Sequence, residues 1–414
     1  MNKKPLDFQK TSVCIVGPFP PRDGDVAIQA ELLSRSLAQE GATVRQVNTD
    51  VGLVRRLPVI GIHLLPLVQV PLVVLRLLLA VPRCDIVHAY AASYWGFYLP
   101  VVLAWLLGRL FGRRVVMTYT GGAGATFLEQ SSHWVFPLWR RMDAVAVTSE
   151  YLQGICRRYG LDATVVSTLI PLEHFPFTAR ESWPPMVIWT GPLEPHANPT
   201  MALRTLALLQ QTVPETRLLM TGQGALADEV NRLAHDTGVA HTVAYLPWLP
   251  THQRHQLIQQ ASVIWVTALE DNLPQSLLEA AACGTVVVGT DVGGIPELLH
   301  DGVDALLVRP NDAERMAAGT AQVLRRPVLA KGLAKNARLS VERFTWEQVR
   351  EGIAQLYFRV AGDERPDAPQ QRFGGLPWSI DDVEGHTEFL WSEPNSEKEE
   401  VDSADTGANA SRRG

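Results

Sequence analysis

The sequence predicts an α/β protein made of two doubly wound, parallel-sheet domains, and three observations predict it. Short apolar runs alternate with stretches of helical periodicity, the pattern of parallel strands joined by crossover helices. The alternation breaks at the aperiodic, proline-rich segment PLEHFPFTARESWPP (171–185) and then restarts. The length of 414 residues suits two cores better than one, at roughly 100–200 residues per domain.

In the first half, SVCIVG (12–17) reads as a buried strand, followed by a proline-rich loop and a helix near Val26–Gln39. CDIVHAY (84–90), RRVVMTYT (113–120) and DAVAVTS (143–149) read as further strands. The second half supplies MVIWTG (186–191), RLLMTGQG (217–224), TVAYLP (242–247), ASVIWVT (261–267), TVVVGT (285–290) and ALLVRP (305–310). FTWEQVREGIAQLYFRV (344–360) has the pattern of a terminal amphipathic helix. The domain boundaries that follow are 1–175, 176–343, a carboxyl-terminal helix 344–361 returning to the first domain, and 362–414. That last segment is rich in Pro, Glu, Ser and Asp and predicts a disordered acidic tail.

The hydrophobic fraction of 46% and charged fraction of 19% allow sizeable cores. A formal net charge of -6 gives no electrostatic case for a nucleic-acid partner. The cysteines (Cys14, Cys84, Cys156, Cys283) lie far apart without a CxxC pair, as expected of reduced thiols in a cytoplasmic protein. MNKKPLDFQK at the start lacks the apolar region of a signal peptide. Two apolar blocks are edged with arginine: LPVIGIHLLPLVQVPLVVL (57–75) and FYLPVVLAWLLGRLFGRR (97–114). Pro58, Pro66, Pro71, His63 and Gln69 argue against one spanning helix in the first block. Two readings remain: peripheral contact with an anionic cytoplasmic leaflet, or helices packed against a sheet.

The segment LEDNLPQSLLEAAACGTVVVGTDVGGIPELL (269–299) concentrates the chemistry. Its structural reading is helix capping: Ser276 as N-cap with Glu279 closing a capping box, and Pro296 and Glu297 in the first turn of the next helix. Its functional reading uses the same geometry. A carboxylate at a helix start, at the mouth of an interdomain cleft, can accept hydrogen bonds from a vicinal diol such as a ribose, while Gly293-Gly294 lets another backbone approach. In doubly wound proteins such clefts lie at the carboxyl ends of the strands and bind phosphates at helix N-termini.

This segment resembles the donor-binding signature of retaining GT-B glycosyltransferases of family 4: an acid, seven residues, then a glutamate followed by small residues. Here these are Asp271, with Glu270 as a competitor, and Glu279 before Ala280–Gly284. The resemblance extends through VVVGTDVGGIPELLHDGVDALLVRPND (286–312), RLLMTGQGALADEVNRLA (217–234) and GPFPPRDGDVAIQAELLSRSLAQEG (17–41), and so covers most of the chain to about Val360.

The resemblance implies a GT-B architecture with an amino-terminal acceptor domain and a carboxyl-terminal donor domain. It implies sugar transfer, with retention, from a nucleoside-diphosphate sugar to a lipid-linked or polysaccharide acceptor, without a metal or other cofactor. Glu279 would bind the ribose and Asp271 would meet the transferred sugar. Asn272, Leu273 and Pro274 would offer backbone to the sugar or phosphate, Gly222 and Gly224 would line the cleft, and Trp248-Leu249 would carry the base.

Four positions depart from the family pattern. The amino-terminal Gly-Gly turn is Gly24-Asp25, where Asp25 could N-cap the next helix. The expected Arg and Lys are Pro192 and Ala197, and the expected His is Thr120. Losing both cations removes two charge-assisted contacts to the leaving group. Arg22, His196 and Thr120 with Gly121-Gly122 are candidates to compensate. The departures also fit a GT-B-shaped binding or scaffold protein that has lost catalysis, or a polyprenyl-linked sugar donor. His88 reads either as a core histidine or as a cleft residue.

Overall fold

The computed structural model describes residues 8–20, 24–50, 65–122, 124–247 and 249–361, with only the backbone at 65–68. The expected tail at 362–414, the start of the first apolar block, Arg22 and Trp248 lie outside the described residues.

The first sheet carries β1 (Ser12–Gly17), β2 (Thr43–Asn48), β3 (Ile86–Ala91), β4 (Arg114–Tyr119), β5 (Ala144–Val147) and β6 (Thr164–Val165). Every pairing is parallel, in the order β2-β1-β3-β4-β5-β6. The second carries β7 (Met186–Thr190), β8 (Arg217–Thr221), β9 (Val243–Leu246), β10 (Val263–Val266), β11 (Val286–Thr290) and β12 (Leu306–Val308). Its strands are also parallel, in the order β12-β11-β10-β7-β8-β9. Strand order reverses beside β1 in one sheet and beside β7 in the other. Those switch points open crevices at the carboxyl ends of the strands.

The central strands are buried along their length, as sheets covered on both faces require. Between β1 and β2 runs α1 (Asp25–Gln39). The two arginine-edged blocks form α2 (Leu65–Ala80) and α3 (Trp95–Leu110), which bury Val73, Leu77, Phe97, Val101 and Ala104 in the core of the first sheet. At 16 residues each, they span about 24 Å at 1.5 Å per residue, short of a hydrocarbon core of about 30 Å. Among the described residues no helix is long and apolar enough to cross a membrane. The same sheet is flanked by α4 (Gly124–Trp139) and α5 (Glu150–Arg158).

The second sheet is covered by α6 (Pro199–Leu209), α7 (Ala227–Asp236), α8 (Thr251–Gln260), α9 (Gln275–Cys283), α10 (Ile295–Leu298), α11 (Ala313–Arg325) and α12 (Pro327–Val341). The last helix, α13 (Trp346–Ala361), crosses back to the first sheet. Its Val349, Ile353, Leu356, Tyr357 and Val360 share a core with Phe8, Val13, Ile15 and Leu33. Full burial of such a side chain contributes about 1.5–3 kcal/mol, which anchors α13 to the amino-terminal lobe.

The four cysteines are buried and unpaired. His88 is a core residue: its ring nitrogens lie 2.7 Å from the Tyr357 hydroxyl and 2.7 Å from Thr118 Oγ1. Burial pushes its pKa down to about 3, so the ring is neutral.

Candidate functional site

Between the two lobes lies an open cleft of about 1000 Å³. Its walls are the segments leaving β1 to β6 on one side and β7 to β10 on the other. Gly24, Thr120, His196, Gly222, Leu249, Asp271, Asn272, Leu273 and Pro274 all line it, as do Glu270, Ser276 and Arg254. The sequence reading thus assembled nine of its eleven site residues around one space. Arg22 lies outside the described residues, and Glu279 sits behind the wall.

The helix start near Glu279 differs from the expected capping box. Helix α9 begins at Gln275 with Pro274 as N-cap, and no side chain caps it. The helix thus starts at Gln275, and Ser276 lies inside its first turn rather than at its N-cap. Glu279 consequently faces α8. Its carboxylate is 1% exposed, with Arg254 Nη2 at 3.1 and 3.4 Å from its two oxygens and His255 Nε2 at 3.1 Å. Between Glu279 and the cavity stands Arg254, half-buried at 15% side-chain exposure.

Asp25 does not cap α1 either. It is the first helical residue, after Gly24 at φ 139°, a conformation that favours glycine. Its carboxylate instead reaches across the cleft and accepts from the Gln275 amide at 3.3 Å. Gln29, one turn along α1, donates to Gln275 Oε1 at 2.8 Å and exchanges bonds with the Leu169 backbone. The N-termini of α1 and α9 therefore converge on the same space, each directing the positive end of its helix dipole toward it.

The acids of the DNLP loop divide their work. Glu270 accepts from the Ala125 amide at 3.0 Å and from Thr126 Oγ1 at 2.9 Å, capping the start of α4 from the opposite lobe. Asn272 bonds Ser149 and Thr148, also across the cleft. Asp271 accepts from its neighbouring Asn272 amide at 2.7 Å and faces Gly122, where an added Cβ would stand 3.1 Å from Oδ1. Burial in the cleft, with Asp25 and Glu270 nearby, raises the Asp271 carboxyl to about 7. Asp25 is exposed on the cleft wall, and the surrounding protein raises its pKa by desolvation.

The glycines hold the loops rather than the ligand. A Cβ at Gly293 would strike the Asp271 carbonyl at 1.7 Å, and one at Gly294 the Asn272 carbonyl at 2.5 Å. The backbone that approaches Gly293-Gly294 is therefore the DNLP loop itself. Gly222, which lines the cavity, meets the Gly191 carbonyl in the same way, whereas Gly224 packs against the Leu193 carbonyl and is not part of the lining. Glu297 lies in the first turn of α10 as expected, but its carboxylate caps α5 across the cleft, accepting from the Glu150 amide at 2.8 Å and from the Tyr151 amide.

Sequence reasoning missed Arg254, Gln29 and Gln275. None lies in the quoted acid-rich motif except Gln275, whose contacts cross 246 residues of chain. No group of three or more His, Cys, Asp or Glu among the described residues is arranged to hold a metal ion.

Among solved structures, the chain resembles sucrose-phosphate synthase from Thermosynechococcus elongatus, with a TM-score of 0.72 at 19% identity over 86% of this chain and 100% of that one. It also resembles HepE from Anabaena, solved in complex with UDP and glucose, with a TM-score of 0.63 at 16% identity over 83% and 98%. At these identities the likeness defines the fold, and two facing Rossmann-like lobes around one cleft are the GT-B architecture. Residues 172–340 match the family described as Glycosyl transferases group 1, so the carboxyl-terminal lobe is a group 1 domain. The chain is 34% identical over 196 residues to a D-inositol 3-phosphate glycosyltransferase of Acidothermus cellulolyticus, covering 45% of this chain and 43% of that protein. It is 27% identical over 212 residues to a glycogen synthase of Mycobacterium tuberculosis, covering 50% and 51%. The chain spans about half the length of the curated relatives it matches.

Proposed function

We propose that the chain transfers a sugar, with retention and without a resident metal ion, from a nucleoside-diphosphate sugar to a lipid-linked or polysaccharide acceptor. The observation that carries this reading is the interlobe cleft onto which the N-termini of α1 and α9 and the Asp271–Pro274 loop converge. Helix N-termini stabilise a departing diphosphate. Leu249 and Gly222 provide the wall for the base, Asp271 stands beside the transferred sugar, and Thr120 with Gly121 forms the acceptor side. HepE, a neighbour in fold, was solved with UDP and glucose, which makes uridine nucleotides the first donors to test.

The test is nucleoside-diphosphate release from a panel of UDP-, GDP- and ADP-sugars with polyprenyl-phosphate-linked and oligosaccharide acceptors. Asp271→Asn and Glu279→Ala should each lower kcat/KM by about 100-fold or more, by analogy with removed transition-state donors. The anomeric configuration of the product, read by NMR, should match the donor's. Absence of release from every donor, hydrolysis included, would overturn the proposal and leave the scaffold alternative.

A lipid-linked acceptor is supported by the outer face of α2 and α3. Leu75, Leu79, Leu106 and Leu110 are 52–68% exposed there. Between residues 65 and 114 the chain has five arginines and a single acid, Asp85. Apolar side chains rimmed by arginine suit the surface of an anionic bilayer. Near the cleft mouth, Trp95 is 78% exposed, and Tyr94 beside it lines the cavity.

A further inference from the structure

The positions where cations are expected to meet the diphosphate hold Pro192 and Ala197, and the cavity wall carries four carboxylates, Asp25, Asp50, Glu270 and Asp271. Such a wall repels a diphosphate. Among the described lining residues the one guanidinium is Arg254, from α8. It hydrogen-bonds the Glu279 carboxylate, and it lies near enough to Asp25, at the start of α1, to favour that carboxylate's charged form. It thus stands between the amino-terminal phosphate-binding turn and the acid assigned to the ribose.

We propose that Glu279 holds Arg254 in the empty cleft and hands it to the donor's diphosphate when the ribose hydroxyls take up the Glu279 carboxylate. This rests on the donor reading of the cleft. A carboxylate offers about four acceptor sites on two oxygens, and Arg254 Nη2 already donates to both oxygens of Glu279, at 3.1 and 3.4 Å. Ribose hydroxyls compete with Arg254 for these sites. The freed guanidinium presents a planar fork suited to phosphate oxygens. Base and sugar recognition would thereby deliver the missing positive charge only when a diphosphate is there to receive it. The arrangement also keeps the buried Glu279 paired in the absence of donor, where an unpaired buried carboxylate would be costly.

The test is calorimetric titration of the full chain with UDP and uridine, GDP and guanosine, and ADP and adenosine. The wild type should bind one diphosphate more tightly than its nucleoside. Arg254→Gln should weaken that diphosphate by about 10- to 100-fold and the nucleoside by less than about 3-fold, with Arg254→Lys recovering part of the loss. Because Arg254→Gln leaves Glu279 buried without its partner, the double variant Arg254→Gln/Glu279→Gln serves as the folding control. It should show the same collapse of diphosphate-over-nucleoside preference. An unchanged preference in both variants would overturn the Arg254 assignment while leaving the donor reading intact. Failure of the wild type to bind any of the three diphosphates would overturn both.

Discussion

The fold alters the acid–base chemistry of Asp271. Its carboxyl is raised to about 7 by burial and by Asp25 and Glu270, against about 3.9 in an unfolded chain. A folded-state pKa above the unfolded one means that the native protein binds more protons between about pH 4 and 7, so this residue lowers stability as pH rises through that window. Asp271→Asn should therefore gain thermal stability relative to wild type as pH increases from about 5 to 8, read by paired melts across pH; a constant difference would contradict the shift. The same titration bears on binding. Protonating Asp271 removes a negative charge from the cleft, so nucleoside-diphosphate affinity should strengthen from pH 8 to pH 6 more steeply in wild type than in Asp271→Asn. The DNLP residues were legible because their chemistry is contiguous in sequence. Arg254 was not, because it sits in the polar run THQRHQ, 25 residues from its partner Glu279, and only the packing of α8 beside α9 brings them together.

At the scale of elements, carboxylates of one lobe cap helices of the other. Glu270 caps α4 and Glu297 caps α5, while Asp25 at the start of α1 meets the first amide of α9. Local rules assigned Asp25, Glu279 and Glu297 to the starts of their own helices, since capping is a local pattern. Facing lobes offered these side chains N-termini that no local rule contains. Glu297→Ala should cost about 1 kcal/mol, the usual value of a lost cap, measurable by chemical denaturation with the wild type as reference. Two strands went unread for a related reason. The edge strand β2 is interrupted by the partly exposed Arg45 and the exposed Gln46 rather than forming an apolar run, and β6 has only two residues. The apolar blocks that raised the membrane question are helices whose inner faces complete the first core and whose outer faces remain leucine-rich. Leu106→Glu with Leu110→Glu should reduce co-sedimentation with vesicles containing anionic lipid by about 10-fold or more, given the summed cost of desolvating two added charges and losing two apolar anchors. Unchanged sedimentation would remove the lipid-surface reading.

For the whole molecule, the alternation of strands and helices made both sheets and their parallel sense legible, because buried parallel strands write themselves as apolar runs. What the sequence could not convey was how the lobes meet. The cleft is bounded by bonds between residues 120 to 250 positions apart: Glu270 with Thr126, Asn272 with Ser149, and Gln29 with Leu169 and Gln275. These contacts place Asp271, both helix N-termini and Arg254 around a single space, and every part of the functional account depends on a nucleotide occupying it. The most direct measurement is a crystal structure of the protein grown with saturating UDP, GDP or ADP. The account predicts the base against Leu249 and Gly222, the ribose hydroxyls on Glu279 and the diphosphate between Gly24 and Arg254. An interlobe cleft left empty by all three, or a nucleotide bound away from it, would contradict the account.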